Sequence, residues 1–166
     1  VRLRGMTQGD IPAVLAIQAA AYGQAYLEPE AVLRARLAGA PGTAWLADDG
    51  AGPCAYLVGY RSRLGRVTPL GGVFADLAGA DCLYLHDLAV APRAGGAGVA
   101  GSLVEHAHAH ALAVGLGRSA LVSVQGSLGF WQRRGYRVVL SSTEPAAPAN
   151  LLSYPGPAYY MQRDLP

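Results

Sequence analysis

LYLHDLAV APRAGGAG VAGSL, residues 83–103, reads as strand, glycine turn and helix, and the rest of the chain is placed around it. Leu83–Val90 is the strongest strand in the chain, an apolar run interrupted by the polar His86 and Asp87. Val99, Leu103, Ala107, Ala111 and Val114 then fall on one helical face, and Gly115 or Gly117 ends the helix. Backbone amides at a helix N-terminus, with the helix dipole behind them, suit a phosphate group. Glycines let a bulky pyrophosphate come close. Glycines alone also make tight connections without a ligand; Arg93 at the mouth of the turn favours the phosphate reading. Gly96-Ala97-Gly98-Val99-Ala100-Gly101 meets the GxGxxG spacing of dinucleotide folds. Such folds need an acid about 20 positions on, where this chain has Leu121-Val122-Ser123-Val124-Gln125. A GK[ST] triplet occurs nowhere, which excludes a Walker A loop.

At the N-terminal end VRLRGM alternates like a short strand, and Thr7-Gln8-Gly9-Asp10 resembles a capping box with Asp for Glu. A helix is predicted to about Tyr22 and a second over Glu28–Leu37. Thr43–Ala47 and Cys54–Arg61 form a predicted hairpin across an Asp-Gly-rich turn. Leu64–Asp81, broken by glycines and Pro69, reads as a functional loop or irregular extension. Past the long helix come a strand at Ser119–Val124, a short helix at Ser127–Arg134 capped by Gly135, and a strand at Tyr136–Leu140. A loop at Ser141–Pro157 and a last strand at Ala158–Asp164 close the chain. The expected fold class is α/β (α+β), one domain over residues 1–166.

With 166 residues, 52% hydrophobic and 14% charged, the chain can bury a core and does not read as disordered. A net charge of +2 lacks the basic stripe of a nucleic-acid binder. All basic side chains are arginine. Cys54 and Cys82 form no CxxC or disulfide framework. No apolar run reaches membrane-spanning length, and the N-terminus does not read as a signal peptide. A cytoplasmic protein with a small-molecule or peptide ligand is expected, with no nucleic acid, no membrane and no metal; a homodimer is left open.

Arg93, Gly96 and Gly98 also satisfy Arg-x-x-Gly-x-Gly, which resembles the acyl-CoA pyrophosphate loop of the GNAT superfamily of N-acetyltransferases. The strand at Tyr84–Val90 resembles that family's fourth strand, Phe130–Tyr136 its aromatic motif, and Tyr160–Leu165 its closing strand. The resemblance implies a mixed, mostly antiparallel sheet with strands four and five splayed apart, flanked by about four helices. It implies acetyl-CoA as acyl donor, its pantetheine arm pairing with Leu88, Ala89 and Val90. Arg93, Ala94, Gly95, Gly96, Ala97, Gly98 and Val99 are the implied pyrophosphate residues, and Ser127, Phe130 and Trp131 complete the expected cofactor contacts. The Leu88 amide is the implied oxyanion donor.

The implied reaction is direct acetyl transfer to a primary amine of a small molecule or peptide. A neutral amine is needed, and an imidazole titrates in the right range to take its proton. His86 is therefore the expected base. Strand alternation places His86 with Tyr84 and Leu88, and Asp87 on the other face; Asp87 is read as structural. The family's tyrosine acid is replaced here by Trp131, which leaves Tyr22, Tyr26, Tyr84 and Tyr160 as candidate donors. At the end of strand five Gln125 or Ser127 replaces the family's Asn. Tyr22, Tyr26 and Glu28 are expected to face the acceptor, together with the Leu64–Asp81 segment and the tail near Tyr154. Ser127 in QGSLG reads as a helix N-cap rather than a nucleophile, and His106 and His110 as a solvated face rather than metal ligands. Arg133 and Arg134 are candidates for the CoA 3′-phosphate. The alternative from another class is a non-catalytic acyl-CoA-binding regulatory domain; an oxidoreductase rests on GxGxxG alone.

Overall fold

The computed structural model describes all 166 residues. In chain order the elements are β1 (Arg2–Gly5), α1 (Ile11–Ala21), α2 (Glu30–Gly39), β2 (Ala44–Asp48), β3 (Pro53–Ser62) and β4 (Cys82–Val90). They continue as α3 (Val99–Ala113), β5 (Arg118–Ser123), α4 (Leu128–Arg133), β6 (Arg137–Ser141), α5 (Ala149–Leu152) and β7 (Tyr159–Asp164). All seven strands join one sheet in the order β1-β2-β3-β4-β5-β7-β6. Only β4 and β5 run parallel. A parallel pair needs a crossover, and α3 supplies it.

One core lies between the sheet and α1, α2 and α5, with Ile11, Leu33, Leu46, Tyr56, Tyr84 and Leu151 among its buried members. The other lies under α3 and α4, around Leu57, Leu85, Leu103, Ala107 and Trp131. On α2 the inward positions are Leu33, Arg36 and Leu37, so a helical apolar stripe carries an arginine into the interior. The second helix starts two residues later than predicted, with Pro29 at its N-cap, which leaves Glu28 outside the helix and buried. The 141–157 stretch, read as a loop, contains the one-turn helix α5, held by burial of Leu151 rather than by any long periodicity. Residues 64–81 form no helix or strand. They are nonetheless packed: Phe74 stacks on Tyr60 at 4.3 Å, and Tyr154 and Asn150 donate to the carbonyls of Thr68 and Val67.

One irregularity sets up everything near the site. The β3–β4 register pairs Val58 with Asp87 and then Gly59 with Leu85, so His86 is an extra residue, a β-bulge. A side chain on Gly59 would collide with the Tyr84 carbonyl oxygen, so the bulge requires glycine there. This corrects the simple alternation. His86 lies beside Tyr84 and Phe74, and Asp87 is bonded to Tyr22 and Tyr56; both residues therefore face the α1–α2 core. Leu88 packs on the opposite, α3–α4 side.

Candidate active site

Pairing between β4 and β5 stops early. Leu83 faces Ser119, Tyr84 faces Ala120 and Leu85 faces Leu121, after which the strands part. A cavity of about 270 Å3 opens in the fork, bounded by Leu88, Val90, Val122, Val124, Phe130 and Trp131. The Ala91 N–H donates to the Cys54 carbonyl of β3 at 2.7 Å. Alternation along the strand then turns the N–H and C=O groups of Leu88 and Val90 toward the fork, and those of Ala89 toward β3. An open strand edge inside a cleft is a template for another extended chain. Of the expected cofactor residues, Leu88, Val90, Ser127, Phe130 and Trp131 line this cavity. Ser127 sits at the N-cap position of α4, but its hydroxyl donates to the Val124 carbonyl at 2.7 Å instead of capping the helix.

Where β4 ends, the glycine turn forms a second concavity with the first turn of α3, and Ala94, Gly95, Gly96, Gly98, Val99 and Arg134 contribute to it. Gly96 and Gly98 have φ of 80° and 76°, in the left-handed region that favours glycine. The turn's internal bonds are Ala94 N–H to Ala91, Gly95 N–H to Pro92 and Ser102 N–H to Gly98. The amides of Gly96, Ala97, Gly98, Val99, Ala100 and Gly101 have no acceptor in the protein, as the first turn of a helix and a preceding nest require. Arg93 does not face this concavity. It donates to the Asp49 carboxylate at 3.1 and 3.3 Å and to the carbonyls of Gly52 and Pro53, tying the β2–β3 turn to the start of α3's loop. The cation beside the free amides is Arg134, laid over the Phe130 ring at 3.7 Å and donating to the Phe130 carbonyl.

Behind β4, the bulge gathers a polar cluster. Arg36 grips Glu28 through two guanidinium nitrogens, at 2.7 and 2.5 Å, and the Gly71 amide donates to the same carboxylate at 2.7 Å. His86 Nε2 lies 3.4 Å from Glu28, and its Nδ1 is buried without a partner. Burial acts to raise the Glu28 carboxyl, but the hydrogen bonds from Arg36 and His86 outweigh it and hold it well below the usual range. Glu28 is thus the anion of a closed, buried pair, with its charge already matched. Asp87, also buried, accepts from Tyr56 at 2.7 Å and lies 2.8 Å from the Tyr22 oxygen. Tyr22 donates at 2.6 Å to the Leu88 carbonyl, on the edge of the fork.

The candidate tyrosines separate by location. Tyr22 borders the fork. Tyr84 is fully buried, with its oxygen accepting from the Thr68 amide, and Tyr160 accepts from the Gly65 amide. Tyr26 donates to the Pro155 carbonyl beside a further concavity that also includes Gln125, Leu128 and Tyr159. Gln125 links that concavity to the fork and has φ of 54°, left-handed for a side-chain-bearing residue. Arg36 and Tyr56 were not singled out from the sequence. Arg36 had a signal, its i+3 position from Leu33; Tyr56 had none beyond strand burial. On α3, His108 turns inward to Tyr136 while His106 and His110 edge onto Trp45. No three His, Cys, Asp or Glu side chains gather as a metal site.

A family model described as Acetyltransferase (GNAT) family matches residues 11–136. The chain belongs to the GNAT family. Among solved structures it is similar to the GphF GNAT-like decarboxylase in complex with isobutyryl-CoA, at TM-score 0.85 and 17% identity over 100% of both chains. It is similar to the loading GNATL domain of CurA from Lyngbya majuscula, at 0.81 and 11% over 98% of this chain and 96% of that one. It is also similar to the ribosomal-protein-S18-alanine N-acetyltransferase from Escherichia coli, at 0.71 and 14% over 99% and 93%. No curated protein sequence matches it. The seven-strand sheet, with β4 and β5 its one parallel pair, is the GNAT arrangement expected from the motifs.

Proposed function

We propose that this GNAT protein is an acetyl-CoA-dependent N-acetyltransferase acting in the cytoplasm on a primary amine of a small molecule or peptide. One observation carries the reading: the open edge of β4 at Leu88 and Val90 runs directly into a turn of unbonded amides at Gly96–Gly101. An extended amide-bearing arm ending in a pyrophosphate has matching chemistry at both ends. Leu88 N–H then polarises the thioester carbonyl, Arg134 adds charge at the phosphate end, and Phe130 and Trp131 exclude water from the arm. His86 accepts the amine proton through a water at its unpartnered Nδ1. The acceptor reaches the thioester past Tyr22, Tyr26 and Gln125. The test is a panel of amines with acetyl-CoA, read by free-thiol release: one amine class is expected to give protein-dependent thiol and an acetylated product.

A second reading, decarboxylation of an acyl-CoA, is favoured by the likeness to a GNAT-like decarboxylase over the full length of both chains and by Trp131 in place of the tyrosine acid. Carbon dioxide release from an α-carboxyacyl-CoA, whose thioester carbonyl takes up the electron pair as an enolate, without any amine decides for it.

A further inference from the structure

We propose that Asp87 is a neutral carboxylic acid in the resting protein, and that through Tyr22 it supplies the proton taken up by the departing CoA thiolate. The second half of the proposal rests on the acyl-CoA reading above; the first does not.

Three close oxygen–oxygen contacts join four groups: Tyr56 to Asp87 Oδ2 at 2.7 Å, Tyr22 to Asp87 Oδ1 at 2.8 Å, and Tyr22 to the Leu88 carbonyl at 2.6 Å. Each such contact requires a proton between its oxygens. Two phenols bring two protons. An ionised Asp87 brings none, and Tyr22 would then face two acceptors with a single hydrogen. A protonated Asp87 brings the third: Tyr56 donates to Asp87, Asp87 donates to Tyr22, and Tyr22 donates to Leu88.

The surroundings agree. Asp87 is buried and forms no ion pair. The groups around it are Tyr22 at the end of α1, Tyr56 on β3, His86 next to it on β4, and Glu28 from the segment before α2. Arg36, the cation of this cluster, is committed to Glu28 and to the Gly72 carbonyl. A second buried carboxylate here would be uncompensated and would sit near the charge of Glu28. Burial raises the Asp87 carboxyl from its ordinary range, against the opposing influence of His86.

The chain of donors ends at the fork. Tyr22 borders the cavity, and its acceptor, the Leu88 carbonyl, belongs to the open edge. When the carbon–sulfur bond breaks, its electron pair leaves on sulfur. The Tyr22 hydrogen turns from the Leu88 carbonyl to that sulfur, and Tyr22 takes the Asp87 proton. Asp87 is left as a carboxylate accepting from both phenols. The proton that His86 takes from the acceptor nitrogen passes on through solvent to restore Asp87, so amine plus thioester gives amide plus thiol with nothing left over. Trp131 has no acidic proton to offer and is not required to have one.

Two measurements on the whole protein test this. In carbon-13 NMR with labelled aspartate, the Asp87 carboxyl, assigned through Asp87→Asn, is expected at its protonated position at pH 7. A carboxylate signal at that pH overturns the proposal. Ultraviolet absorbance of thiolate then reports the titration of CoA bound to the protein. The bound thiol is expected to ionise below free CoA in the wild type, and about tenfold less readily in Tyr22→Phe, since a donated hydrogen bond to a thiolate favours ionisation. Identical titration in Tyr22→Phe and wild type overturns delivery by Tyr22. Failure to bind CoA overturns the acyl-CoA reading and the delivery step with it, while the NMR result for Asp87 stands by itself.

Discussion

From Leu83 to Leu85, β4 is paired on both edges, to β3 and to β5; from Asp87 to Val90 it is paired to β3 alone. The first half is fully buried and apolar, its backbone groups used up in the sheet. The second half has apolar side chains at Leu88, Ala89 and Val90 as well, yet its free edge borders a cavity. The bulge at His86 separates them, and it does two jobs. It turns His86 and Asp87 together toward Glu28, Tyr22 and Tyr56, and it marks where β4 and β5 part. What sets the second half apart is its unpaired backbone more than its side chains.

The largest effect is expected where the open half ends. Gly96→Asp places a carboxylate among unbonded amides at φ 80°, where no neighbouring atom restrains it. Repulsion of the pyrophosphate and self-capping of the amides should weaken CoA binding by at least ~100-fold, measured by calorimetry. Thermal stability should fall only by the ~1 kcal/mol that a side chain at positive φ costs, because the closed half is untouched. Full CoA affinity in a folded variant would break the comparison at its centre.

Next comes the polar face of the bulge. His86→Gln should lower the turnover of a reactive amine by on the order of 10²-fold. CoA affinity should barely move, since the proposed binding groups are the open edge and the glycine turn. The pH–rate profile is the discriminating record: if the rising limb of the wild type persists unchanged in the variant, His86 is structural and the limb belongs to the amine.

Gly59→Ala attacks the boundary itself. The added carbon has to displace the Tyr84 carbonyl, which should cost about 2–3 kcal/mol of stability and show in chemical denaturation. If the bulge is what parts β4 from β5, CoA affinity falls as well. A stability loss with unchanged affinity would separate the bulge from the fork.

The smallest effect concerns the closed half. His108 accepts from Arg163 at 3.4 Å and donates to Tyr136, which donates to Ser119, the register partner of Leu83. Burial, with the Arg163 charge, depresses His108 to about 4. Between about 6.5 and that value the unfolded chain binds the proton and the native one does not. Stability is therefore complete above about pH 6.5 and is lost as pH falls toward 4. His110, also lowered by burial, acts in the same sense, and Asp87, raised by burial, in the opposite one. Asp10, held at about 2 by hydrogen bonds from Arg4, titrates below this window. Melting temperatures should fall by a few degrees less in His108→Gln than in wild type across it; parallel curves would mean that His108 is not neutral in the fold.

Much of this architecture was legible in the residues. The 83–103 stretch dictates strand, turn and helix, because apolar runs and helical spacing are local properties and glycine's freedom at Gly96 and Gly98 is intrinsic. The order of strands and helices, and hence the parallel crossover through α3, follows from the same local signals. Tertiary structure alone decided the direction of the polar side chains. Strict alternation put Asp87 opposite His86; the bulge at His86, which depends on a glycine 27 positions earlier at Gly59, put them together. Arg93 matched a phosphate motif by position, but Asp49 and two carbonyls of the β2–β3 turn hold it, and Arg134 stands by the amides instead. Glu28 looked like a free anion for an amine until α2 delivered Arg36 to it. The physical reason is common to all three: periodicity specifies which face a residue takes on its own element, whereas the partner of a charge is set by whichever distant segment packs within hydrogen-bonding reach.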